Sequence, residues 1–153
     1  MTWQTKTTSV AGSQKLAEQI GQRLQGGELL EMISDLGGGK TTFVRGLAKG
    51  IGSKDQVSSP SFTLHREYQA GSLIMHHFDL YRLPEPGIMG AELDEVLADP
   101  RAIVVIEWPD IIQKSLPAPR MEIHIRPIAE KEREFSFVYP KAMAYLIPRD
   151  KLR

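Results

Sequence analysis

No cysteine occurs in the 153 residues of the chain. That absence excludes a disulfide framework, a thiolate zinc site and a cysteine nucleophile together. Charge of one sign is not in surplus either: 19 Lys and Arg stand against 19 Asp and Glu, for a formal net charge of +0 at pH 7. Without a global basic field, any engagement of RNA has to be local or pass through a partner. No stretch approaches the roughly 20 apolar residues needed to cross a bilayer. The opening Met1-Thr2-Trp3-Gln4-Thr5-Lys6 has no apolar run of the signal-peptide kind. Internal repeats and low-complexity tracts are missing as well. What is left, 41% hydrophobic and 25% charged residues, is the composition of an ordinary globular protein. One domain over residues 1–153, cytoplasmic and without membrane contact, is the expectation.

Periodicity sorts the chain into helices and strands in alternation. Leu16, Ile20 and Leu24 recur at a spacing of four, predicting a helix from Ser13 to Leu24 that Gly26-Gly27 ends. Leu29 to Ile33 is a short apolar run before a glycine-rich turn and suits a buried strand. A helix follows from Thr41 to Gly50, then a loop at Ser58-Ser59-Pro60, and strands at Phe62 to Tyr68 and Leu73 to Leu80. Pro84 to Gly90 is a turn-rich break, Ala91 to Leu97 a short helix, and Ala102 to Ile106, the most apolar run, a central strand. Met121 to Ile125 and Phe135 to Val138 alternate like a closing hairpin. The fold class is α/β: a three-layer sandwich with a mostly parallel central sheet and a C-terminal antiparallel hairpin.

The strongest chemical signal is Ser34-Asp35-Leu36-Gly37-Gly38-Gly39-Lys40-Thr41-Thr42, placed between a predicted strand and a predicted helix. This is the context of a phosphate-binding loop. Glycines let the backbone wrap a phosphate with several N–H groups inward, and the helix N-terminus adds partial positive charge. Lys40 can reach the β- and γ-phosphates, and the Thr41 hydroxyl can bind Mg²⁺. The competing reading, a glycine-rich strand–helix turn with a chance Lys-Thr, does not account for three glycines before Lys-Thr-Thr in this context. Ser34 stands where a first glycine is usual, at a cost of ~0.5–1 kcal/mol if the backbone there needs glycine's freedom.

A phosphate loop of this kind needs a carboxylate at a strand end to hold the magnesium shell. Asp79 closes the strand in His76-His77-Phe78-Asp79, and Glu107 closes Ile103-Val104-Val105-Ile106-Glu107. Either can be a magnesium or water-orienting group, or an ordinary solvated acid. His76 and His77 are adjacent, so on a strand they face opposite ways, one packed and one exposed, and do not share a metal. Trp108 follows Glu107 and lies either near the phosphates or in the core. The hydroxyls of Ser58-Ser59-Pro60-Ser61-Phe62-Thr63 form either a γ-phosphate-sensing segment or a capped turn.

Taken in order, these strings resemble one family. Asp35-Leu36-Gly37-Gly38-Gly39-Lys40-Thr41-Thr42-Phe43-Val44-Arg45-Gly46-Leu47 looks like the phosphate loop of the TsaE family. Ser59-Pro60-Ser61-Phe62-Thr63-Leu64, His77-Phe78-Asp79-Leu80-Tyr81-Arg82-Leu83 and Ile106-Glu107-Trp108-Pro109 are similar to its other signatures, and the likeness runs from about Ala11 to Ile125. The resemblance implies a P-loop ATPase that works with a threonylcarbamoyl transferase subunit and its companion subunit to make N6-threonylcarbamoyladenosine in tRNA, with any tRNA contact indirect. It implies ATP and Mg²⁺ as cofactors, held along Leu36, Gly37, Gly38, Gly39, Lys40, Thr41 and Thr42. Thr41 and Glu107 would be the magnesium ligands, and Lys40, Glu107 and Asp79 the catalytic set, Asp79 being needed for hydrolysis. The adenine side is expected near Ser9 to Val10, with Val10 as its contact.

The departures are local: Ser34 for glycine, Ser61 for threonine, the stiff Pro84-Glu85-Pro86-Gly87 turn, and no Gly-Arg around Lys131-Glu132-Arg133. The last leaves open whether Arg133 or Lys131 reaches the nucleotide. Two rival functions differ in class. A small P-loop metabolite kinase needs an Arg-bearing lid, and Arg45, Arg66, Arg82 and Arg101 are scattered rather than grouped. A nucleotide-dependent binding module without turnover needs neither Asp79 nor Glu107.

Overall fold

The computed structural model describes residues 1–34, 39–57, 65–79, 87–107, 117 and 119–149, with backbone alone for 87–90. Among them the chain runs β1 (Thr2–Thr7), α1 (Val10–Gly21), β2 (Leu29–Ser34), α2 (Lys40–Ile51), β3 (His65–Ala70), β4 (Leu73–Asp79), α3 (Gly87–Leu97), β5 (Ala102–Glu107), β6 (Met121–Pro127) and β7 (Arg133–Val138). A short 3₁₀ turn, Lys141–Leu146, follows. The strands form one sheet in the order β1-β7-β6-β2-β5-β4-β3. Its centre is parallel: β2 pairs in parallel with β5 and β6, and β4 with β5. The flanks are antiparallel, with β7 returning along β6, β1 along β7 and β3 along β4.

The two faces of the sheet are covered by different helices. Along β5 every residue is buried, and alternate side chains go to opposite cores, as the pleat requires. Ile103 and Val105 join Leu16, Ile20, Phe43 and Leu47 of α1 and α2, whereas Val104 and Ile106 join Leu93 of α3. A strand buried on both faces reads as an unbroken apolar run, which is why β5 was plain in the sequence. The same double cover corrects the reading of the adjacent histidines. They do face opposite ways, but neither is exposed: His76 is 7% accessible and His77 0%.

Other boundaries shift for local reasons. α1 begins three residues before Ser13 because Ser9 caps it, its Oγ accepting from the Gly12 N–H at 2.9 Å. It ends at Gly21, ahead of Gly26-Gly27. α3 begins at Gly87, so the last four residues of the expected Pro84-to-Gly90 break are helical. Proline just ahead of a first turn is compatible with that start. β1 was not expected at all.

The approach of α1 to α2 sets up the site. A Cβ on Gly46 would run into the Gln14 carbonyl and the Ala17 methyl, and one on Gly50 into the Glu18 carbonyl. The backbones touch there because no side chain intervenes. Gly46→Val is therefore expected to lower unfolding free energy by about 3 kcal/mol or more, the upper end of overpacking costs. Urea denaturation would show it as a lower midpoint at constant slope. An unchanged midpoint would mean that the helices are not in contact at Gly46.

Candidate functional site

The parallel strands β2, β5 and β4 bring their carboxyl ends to one edge of the sheet. There β2 ends at Ser34 and α2 begins at Lys40. Ser34 lies within the strand, level with Ile125 of β6, so its extended backbone accepts a serine. Gly39, the residue before α2, sits at φ 98°, a left-handed conformation that L side chains adopt only with strain. It offers no side chain to the helix, and the first turn carries no acidic residue. Among the described residues no side chain caps this first turn, so its early N–H groups can receive an external anion, with the helix dipole behind them. The Lys40 ammonium donates to the Ser34 carbonyl at 3.5 Å, the outer limit of a hydrogen bond, and is readily redirected.

Asp79 and Glu107 close β4 and β5 at the same level, as register partners, and Glu107 is also level with Met32 of β2. Both acids therefore lie within neighbouring-strand spacing at the edge where the phosphate loop leaves the sheet. Glu107 is 5% accessible, and its Oε1 stands 3.3 Å from Nε2 of fully buried His77. The angle is unsuited to a hydrogen bond, so that oxygen and both His77 nitrogens lack a hydrogen-bond partner among the described residues. A buried carboxylate oxygen in this state carries a desolvation cost that a cation would relieve. The Thr41 hydroxyl and the Glu107 carboxylate are hard oxygen donors, the kind Mg²⁺ takes. The residues present fit that ion.

A cleft opens at the start of α2, bordered by Gly39 and Thr42. Its walls come from Ser9, Val10 and Ser13 at the start of α1, Gly39 and Thr42 at the start of α2, and Glu130, Lys131, Arg133 and Phe135 from the β6–β7 hairpin. Val10, 64% accessible, is an exposed apolar side chain at its rim. Ser13 Oγ is already paired with Thr7 Oγ1 at 2.6 Å. Arg133 and Lys131 both border the cleft, but Arg133 Nη1 donates to the carbonyls of Ala129, Glu130 and Glu132 at 3.0, 3.2 and 2.9 Å. That guanidinium holds the hairpin turn in shape.

The structure thus brings together Lys40, Asp79 and Glu107 at one sheet edge, and Val10, Gly39 and Thr42 around one cleft. Leu36, Gly37, Gly38, Ser58-to-Thr63 and Trp108 lie outside the described residues. Sequence reasoning missed His77 as the neighbour of Glu107, and Glu130 and Phe135 as cleft walls. For His77 a signal existed: it precedes Asp79 by two and so shares its face of the strand.

Comparison with known proteins decides the family. A family model described as threonylcarbamoyl adenosine biosynthesis protein TsaE matches residues 7–135. The chain belongs to the TsaE family. A TsaE protein of Bacillus subtilis is 38% identical over 111 residues, 72% of this chain and 69% of that one. TsaE of Rickettsia felis is 31% identical over 137 residues, 88% and 79% of the two chains, and TsaE of a Nostoc species is 39% identical over 92 residues, 58% and 57%. All three are described as tRNA threonylcarbamoyladenosine biosynthesis proteins. A crystal structure of Bacillus subtilis YdiB superposes with a TM-score of 0.77 at 28% identity, covering 95% of this chain and 91% of that one. The TsaE fold is P-loop NTPase-like, in keeping with the strand–loop–helix at β2 and α2. Among the described residues no helix is long and apolar enough to cross a membrane.

Proposed function

We propose that this chain is a magnesium-dependent ATPase that supports N6-threonylcarbamoyladenosine modification of tRNA, acting with a threonylcarbamoyl transferase subunit and its companion. The observation that carries the reading is the buried Glu107 oxygen beside Asp79, without a hydrogen-bond partner among the described residues, on the edge where Gly39 and Lys40 open α2. Lys40 binds the β- and γ-phosphates, and the open N–H groups of α2 hold phosphate oxygens. Thr41 and Glu107 hold Mg²⁺, which when bound offsets the charge on the transferring phosphate. Asp79 orients the attacking water. The adenine lies in the cleft against Val10, with Lys131 at its margin.

Turnover of the isolated chain is slow. Fast phosphoryl transfer in this class uses an arginine on the transition-state charge, often supplied in trans and worth ~10³–10⁵ in rate. The arginine that lines the cleft, Arg133, is committed to the carbonyls of its own turn. The test is steady-state ATP turnover with and without both partners. Hydrolysis well below ~1 per second alone, rising when the partners are added, is the expected result. A rate of ~1–10³ per second from the isolated chain, or one indifferent to the partners, would defeat the reading.

A further inference from the structure

Away from the nucleotide edge, on the α3 face of the sheet, a second set of donors converges. In the β3–β4 ladder Glu67 is level with His76, and His65, two residues before Glu67, shares its face. One donor atom from each of His65, Glu67 and His76 lies within 4.8 Å of the other two. We propose that these three residues form a binding site for one divalent transition-metal ion, of which Zn²⁺ fits the donors best, clasping the β3–β4 hairpin.

The spacings favour a metal. His65 Nε2 and His76 Nδ1 stand 3.0 Å apart, and Glu67 Oε1 is 3.8 Å from His76 Nδ1. Two nitrogens on a tetrahedral Zn²⁺ at ~2.0–2.1 Å are separated by about 3.3 Å, so a shift of a few tenths of an ångström admits the ion. The rear nitrogen of His65 is held as metal-binding imidazoles usually are: Nδ1 meets Glu92 Oε1 of α3 at 3.0 Å. With Nδ1–H donating to that carboxylate, Nε2 presents a lone pair to the site. The His65 ring is fixed further by stacking on Phe78 at 4.2 Å and 1°. Burial, the largest influence on His76, lowers its pKa and keeps the imidazole in the neutral form that binds metals. Glu67 and Glu92 are half exposed, which leaves the ion a way in. Two imidazoles with one carboxylate suit Zn²⁺ rather than Mg²⁺, which prefers oxygen alone. In the metal-free chain the same two rings share an N–H···N hydrogen bond whose proton sits on His76 Nδ1; when the ion binds there, that nitrogen gives up its proton and His76 takes one from solvent at Nε2, so the imidazole stays neutral.

The test titrates ZnCl₂ into the chelator-stripped full chain by calorimetry, with excess Mg²⁺ present to occupy the oxygen site proposed at Thr41 and Glu107. One Zn²⁺ per chain is expected, with Kd at or below ~1 μM. His65→Asn and Glu67→Gln are each expected to weaken it about tenfold or more, while His124→Asn, on β6 and outside the cluster, leaves it unchanged. Glu67 is half exposed, so its amide variant retains the fold, and circular dichroism checks both. Absence of Zn²⁺ binding tighter than ~100 μM, or undiminished binding in Glu67→Gln and folded His65→Asn, overturns the proposal and leaves a hydrogen-bonded histidine pair.

Discussion

Lys40→Ala is expected to weaken Mg-ATP binding and turnover by at least ~10²-fold while leaving the fold in place. The size follows from the contact it removes. Hydrogen bonds to charged groups contribute about 1.5–3 kcal/mol each, and an ammonium between two phosphates makes more than one. The fold is spared because the hydrogen bond of Lys40 to the Ser34 carbonyl, at 3.5 Å, is too long to contribute much. Calorimetric ATP binding and phosphate release measure the loss, and an unchanged thermal midpoint separates it from misfolding. Lys40→Ala hydrolysing ATP like the parent would mean that the phosphate site has been placed wrongly.

The second large effect separates the two acids. Asp79→Asn should lower turnover by ~10²–10⁴, the range for a group that positions or deprotonates a nucleophile, with nucleotide still bound. Glu107→Gln should instead change the concentration of Mg²⁺ needed for activity, and Mn²⁺ should alter its residual rate, because in the proposed site Glu107 would touch the ion and not the water. The amide is chosen because Glu107 is buried against His77, and truncation would leave a void beside that ring. Equal Mg²⁺ dependence in Glu107→Gln and the parent would remove the role assigned to Glu107.

Legibility in the sequence followed burial and locality. The apolar strands β2 and β5, the helix after the phosphate loop and the β6–β7 hairpin were readable because each signals itself within a few residues. So was the strand-end position of Asp79 and Glu107, since an apolar run ending in an acid needs no distant information. β1 was not readable: in Thr-Trp-Gln-Thr-Lys-Thr only Trp3 offers an apolar surface, packing on Phe137 at 5.4 Å, and the strand exists because β7 presents an open edge. Tertiary pairing decided that segment, not its own pattern. The histidine pair was misjudged for the same kind of reason. Alternation says that His76 and His77 oppose each other, but only the placement of α3 makes the second face buried too. The cleft joins Val10 to Glu130 and Arg133 across most of the chain, and no local motif carries such a contact.

Whether ATP use by this chain drives formation of the modified base is decided by reconstitution. The chain, a threonylcarbamoyl transferase subunit and its companion are mixed with tRNA, ATP, Mg²⁺ and threonine, and N6-threonylcarbamoyladenosine is quantified over many turnovers. Sustained product is expected with the parent chain, and its loss when the chain is omitted or replaced by Lys40→Ala. Equal yields of modified base in all three mixtures would contradict it.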